Sequence, residues 1–156
     1  MLYTNRAAAN LMLLQYKDAI IDCDTAISID STPNAKAHFR KAAALKGLGN
    51  INGAIDSLST GLLIDPSSTV AQTDRTSLIA AKDKIEQLRL QISSKDFRRA
   101  LPAIDALIRE IGSTFRDVNI LKVECLVELK RTEEAYNLTN SMVGNLRGQD
   151  TTCRCS

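Results

Sequence analysis

The chain has 156 residues, enough for a domain with a buried core. Its formal net charge is +2, 4% of its residues are aromatic and Trp is absent, which argues against a charge-driven nucleic-acid surface or an RNA-stacking platform. One His and four Cys without regular spacing offer neither a four-ligand zinc set nor a disulfide framework, and no apolar run reaches the about 18 residues of a membrane span.

Helical periodicity begins at once. Residues 2–14 and 16–29 are predicted as two helices. In the second, Tyr16, Ala19, Ile20, Cys23, Ala26 and Ile27 recur at helical spacing and form one apolar face. Residues 35–48 and 51–64 repeat the arrangement, joined by Gly49-Asn50, with Asn50 as N-cap. The repetition is in the letters themselves: Tyr3-Thr4-Asn5-Arg6-Ala7-Ala8-Ala9 parallels His38-Phe39-Arg40-Lys41-Ala42-Ala43-Ala44, and both Ala7/Ala42 and Ala19/Ala54 are 35 positions apart. Small residues at these places allow antiparallel helices to approach closely. Each unit ends on an acid with a nearby proline, Asp30 with Pro33 and Asp65 with Pro66, because proline cannot continue a helix. The usual period of such helical repeats is about 34 residues, and the excess residue is assigned to the loop Asp30-Ser31-Thr32-Pro33-Asn34.

Residues 69–94 contain neither Pro nor Gly, and Leu78, Ile79, Ile85, Leu88 and Ile92 mark an apolar stripe; one long helix is expected. Residues 97–111 follow as a helix with Phe97, Ala100, Leu101, Ile104, Leu107 and Ile108 on one face and a kink expected at Pro102. Residues 115–129 and 132–145 complete a last hairpin, with Thr132 as N-cap and Glu133-Glu134 in the first turn. The fold expected is all-α, a solenoid of antiparallel helix hairpins. The division expected is 1–68 as two repeats, 69–94 as a capping and linking helix, 95–148 as further hairpins, and 149–156 as a disordered tail. The tail holds Cys153-Arg154-Cys155, too few ligands for a metal; Cys23 and Cys125 are read as reduced core residues. Arg6 followed by residues 7–14 has the outline of a secretory signal, but the repeat uses the same residues as a helix, which favours a reducing compartment.

No catalytic motif is present, lone His38 fits a packing role, and neither a cofactor nor a metal site is expected. The informative polar residues are Asn5, Lys36 and Arg40. Asn5 and Arg40 hold equivalent places on neighbouring helices, and Lys36 and Arg40 are i and i+4 on one helix. Amide, ammonium and guanidinium together offer donors suited to a carboxylate.

The repeat resembles the tetratricopeptide repeat. Asn5-Arg6-Ala7-Ala8-Ala9 and Lys36-Ala37-His38-Phe39-Arg40-Lys41-Ala42 resemble the segments that form the carboxylate clamp of tetratricopeptide co-chaperones. Ser94-Lys95-Asp96-Phe97-Arg98-Arg99, Asn119-Ile120-Leu121-Lys122-Val123-Glu124-Cys125-Leu126 and Glu133-Glu134-Ala135 extend the likeness, over residues 2–138, to co-chaperones with two repeat blocks and a C-terminal J domain. The resemblance implies a cytoplasmic, non-enzymatic protein-binding module. Its implied partner is the acidic Glu-Glu-Val-Asp tail of Hsp70 or Hsp90, held by Asn5, Lys36 and Arg40, with no nucleic acid and no membrane. It also implies that the clamp's first repeat and the J domain are missing here. Tail binding should then be weak, and the apolar N-terminal helix should promote self-association. The alternative is a tetratricopeptide scaffold for another protein partner.

Overall fold

In the computed structural model the described residues are 2–29, 33–112 and 115–150, the last seven as backbone alone. They form eight helices: α1 (Leu2–Met12), α2 (Tyr16–Ile29), α3 (Ala35–Gly47), α4 (Ile51–Ile64), α5 (Thr69–Ser93), α6 (Phe97–Ile111), α7 (Arg116–Glu128) and α8 (Thr132–Asp150). The fold is all-α, as the periodicity predicts, and no strand occurs among the described residues. Residues 30–32, which carry most of the loop assigned the excess residue, and 151–156, with Cys153 and Cys155, lie outside the described residues.

Four hairpin turns share one geometry. In the turn after α1, the Leu14 N–H donates to the Leu11 carbonyl and the Gln15 N–H to the Asn10 carbonyl. Gly49 and Asn50 do the same after α3, Lys95 and Asp96 after α5, and Lys130 and Arg131 after α7. This pair of bonds satisfies carbonyls that a helix end leaves open, and it requires a left-handed residue at the turn. Gly49 takes it at φ 77°, but Leu14 (59°), Lys95 (62°) and Lys130 (59°) do so with a side chain. The left-handed turn explains why α1 stops at Met12, short of the expected residue 14. Asn50 caps α4 as expected, its side chain accepting from the Gly53 N–H at 2.9 Å. Thr132 does not cap α8. It is the helix's first residue, and Arg131 before it reaches forward to Glu134 with two bonds of 2.7 Å. α8 also continues to Asp150 rather than ending at 145, because Gly144 and Gly148 lower helix propensity without forbidding the helix.

The chain divides into two compact units, Met1–Lys82 and Asp83–Ser156, and the division falls inside α5. That helix is unbroken over its 25 residues.

In the first unit, α1 packs on α2, α2 on α3 and α3 on α4, and α1 also meets α3. The small residues make this possible: Ala7, Ala19, Ala37, Ala44 and Ala54 are all fully buried. Two glycines, Gly47 and Gly61, do similar work. A Cβ on Gly47 would stand 2.4 Å from the Tyr16 ring, and one on Gly61 2.5 Å from the Phe39 ring. Both aromatic rings therefore occupy the space a side chain would need.

In the second unit, α6 packs on α7 and α7 on α8. The face predicted on α6 is the buried one: Ala100, Leu101, Ile104 and Leu107 are buried, and Phe97 and Ile108 are half-buried. Phe115, Val118, Leu121, Cys125 and Leu126 supply the facing core. Burying side chains of this size stabilises by about 1.5–3 kcal/mol each. α6 is continuous through Pro102, whose missing N–H leaves the Arg98 carbonyl without its helical donor. Pro102 itself is exposed, so water can satisfy that carbonyl.

Candidate functional site

The predicted site residues lie on α1 and α3. Asn34 accepts a bond from the Ala37 N–H with its side-chain oxygen at 3.1 Å and so caps α3. Its side-chain nitrogen donates to Thr4 Oγ1 on α1, at 3.4 Å. Lys36 sits in the first turn of α3 and is exposed. Arg40, one turn on, is half-buried, and its Nη1 donates to the main-chain carbonyl of Thr4. Thr4 precedes Asn5, which is exposed. The guanidinium is thus brought to the Thr4–Asn5 stretch. Among the described residues no carboxylate pairs with Arg40, and neither the Asn5 nor the Lys36 side chain makes a hydrogen bond or ion pair. These three side chains carry donors that the fold itself does not consume. Such donors suit an anion, because charge-assisted bonds to carboxylate are the strong ones.

Lys41 follows Arg40, but its ammonium is spent on Asp24 of α2 at 2.6 Å. His38 is held below its ordinary pKa, first by burial and then by Lys41, with Asp24 opposing. Cys23, fully buried on α2, is pushed up to about 11, first by burial and then by Asp24, while Arg40 pulls the other way.

A second polar cluster was not anticipated from the sequence. Asp22 of α2 is 2% exposed yet ionisable. Arg6 of α1 meets it twice over: Nε lies 3.0 and 2.9 Å from the two carboxylate oxygens, and Nη2 2.5 Å from Oδ1. Asn10 adds a bond of 2.9 Å, and the Arg6 guanidinium stands 5.2 Å from the Tyr3 ring centroid. Arg6, Asn10, Asp18, Ile21 and Asp22 line an open cleft of about 270 Å³. The cluster satisfies itself, so it reads as the pin between α1 and α2 rather than a ligand site. A signal for it existed: Asp22 falls at helical spacing with Ala19, Cys23 and Ala26, on the buried face, and a carboxylate there needs a cation. Within the same Asn5–Ala9 segment, then, Arg6 is structural, while the Asn5 side chain meets no partner among the described residues.

Among the described residues no cluster of three or more His, Cys, Asp or Glu could hold a metal ion, and no helix is long and apolar enough to cross a membrane.

Comparison with known proteins supports the resemblance drawn from the motifs. DnaJ homolog subfamily C member 7 of Homo sapiens is 26% identical over 141 residues, 90% of this chain and 28% of that protein. The Hsp70/Hsp90 co-chaperone cns1 of Schizosaccharomyces pombe is 28% identical over 141 residues, 90% of this chain and 36% of that protein. Sperm-associated antigen 1 of Homo sapiens is 36% identical over 95 residues, 61% of this chain and 9% of that protein. The chain therefore spans 9% to 36% of the length of these relatives. No family model matches the chain, and no solved structure does.

Proposed function

We propose that the chain is a cytoplasmic, non-catalytic co-chaperone module that binds the acidic C-terminal tail of Hsp70 or Hsp90 through a partial carboxylate clamp of Asn5, Lys36 and Arg40. The observation that carries this reading is the Arg40 guanidinium at the Thr4 carbonyl, beside Asn5 and one turn from Lys36, with no carboxylate of the described residues opposite it. Likeness to a protein named as an Hsp70/Hsp90 co-chaperone supports the choice of partner. In this reading Lys36 and Arg40 take the acidic side chains of the tail, and Asn5 contributes to its terminal carboxylate. Titration of a peptide ending in Glu-Glu-Val-Asp against wild type and Arg40→Ala tests it. Binding by the wild type that the substitution abolishes is expected. Binding that survives Arg40→Ala would point to a scaffold for another protein partner.

The same proposal includes self-association through the N-terminal hairpin. Leu2 (77%), Met12 (87%) and Ile21 (61%) are large apolar side chains left exposed on α1 and α2. Apolar side chains left exposed together on neighbouring helices call for cover.

A further inference from the structure

Arg40 and Lys36 are long, flexible side chains, and holding two cations and an amide at one place needs something to set their positions. Thr4 is the residue of α1 that both Asn34, the cap of α3, and Arg40 touch. It is 5% exposed. Its main-chain carbonyl accepts from Arg40 Nη1, and its hydroxyl oxygen accepts from Asn34 Nδ2 at 3.4 Å. Asn34 in turn caps the helix whose first turn carries Lys36. Asn5, the third member of the site, is the next residue along the chain from Thr4.

We propose that Thr4 is the positioning residue of the carboxylate site: its carbonyl aims Arg40, and its hydroxyl, through Asn34, fixes the first turn of α3 and with it Lys36. The inference rests on the clamp reading and adds to it that the site is assembled on α1 before any ligand arrives. Arg40 keeps further N–H donors for the ligand while Nη1 is engaged, since guanidinium has five. A hydrophobic role would be the ordinary explanation for a buried Thr on a helix, and the two make opposite predictions. Val matches Thr in shape but lacks the hydroxyl, whereas Ser keeps the hydroxyl and loses the methyl.

The experiment compares Thr4→Val and Thr4→Ser in the full chain, with the Glu-Glu-Val-Asp peptide as probe. Loss of one hydrogen bond between neutral groups corresponds to about a threefold to tenfold weakening. Thr4→Val is expected to weaken binding by that factor and Thr4→Ser to bind like wild type. Wild-type affinity in Thr4→Val, or equal weakening in both, would overturn the proposal. If no form of the protein binds the peptide, the clamp reading has failed, and Thr4 is judged in the ligand-free protein. There the Asn34 side-chain amide resonances should move in Thr4→Val and stay in place in Thr4→Ser; resonances unmoved in both would refute it. Should Thr4→Val not fold, Asn34→Ser keeps a capping oxygen but removes the donor to Thr4. Its peptide binding should fall by the same factor, and unchanged binding would refute the proposal.

Discussion

Asp22 shows how a single residue constrains the first hairpin. Its carboxylate is nearly inaccessible, while the Arg6 side chain that answers it is 60% exposed. The asymmetry has a consequence for mutation. Arg6→Ala leaves a buried carboxylate with Asn10 as its only remaining partner among the bonds described, whereas Asp22→Ala leaves a guanidinium that water can solvate. Arg6→Ala should therefore lower the urea midpoint more than Asp22→Ala, and the opposite order would contradict this account of the pin. The buried thiols make a second residue-scale prediction. Cys23 and Cys125 are both raised from an ordinary 9.0 to about 11, chiefly by burial. The unfolded chain releases these protons first as pH rises, so their contribution is intact below pH 9 and is lost on the way to 11. The loss is about 2 kcal/mol per thiol. Urea unfolding of wild type should weaken over this window more steeply than that of the Cys23→Ala, Cys125→Ala double variant; parallel slopes would refute it. At this scale the sequence was legible where a side chain carried the signal, as at Cys23 and Cys125, both buried and free. Thr4 was not, because its central contact is a main-chain carbonyl, which every residue possesses.

At the scale of the element, the helices were legible because period and breakers agreed. The stripe on α6 runs through Pro102 at helical spacing, and the helix is continuous across it, as expected. The turns were legible only in part. Gly49-Asn50 announces itself, but the same turn is made at Leu14, Lys95 and Lys130, where nothing in the residue type signals a left-handed conformation. Tertiary packing of the hairpins selects the turn and overrides the local cost, which is about 1 kcal/mol for a side chain at such a place. Thr132 was misread for a related reason: a good capping residue precedes an acidic pair, but the turn at Lys130 already hands the helix start to Arg131. Lys130 is exposed, so replacing it removes no packing. Lys130→Gly should stabilise the protein by about 0.5 kcal/mol at most, the relief of left-handed strain less the entropy that glycine adds to the unfolded chain. A thermal melt reads this directly, and a lower melting temperature would contradict the turn assignment.

For the molecule as a whole, two proposals meet in the first unit. One concerns the apolar residues left open on α1 and α2. Ile21 is 61% exposed beside the Arg6–Asp22 cleft, so Ile21→Glu should alter association without disturbing the core. Light scattering across a concentration series is expected to show wild type growing in mass and Ile21→Glu remaining smaller; a wild type that stays monomeric throughout would end the self-association proposal. The other concerns the clamp. The two relatives aligned over 90% of this chain extend far beyond it, so the partner is tested on the chain's own residues.

The most direct test is a calorimetric titration of two peptides, both ending in Glu-Glu-Val-Asp, one with a free C-terminal carboxylate and one amidated. The free peptide carries a terminal negative charge at neutral pH that the amide lacks. Charge-assisted bonds are worth about 1.5–3 kcal/mol each. The free peptide should bind, its carboxylates meeting the donors of Asn5, Lys36 and Arg40. The amidated peptide should bind at least about tenfold more weakly. Equal affinity for the two peptides would contradict the carboxylate clamp.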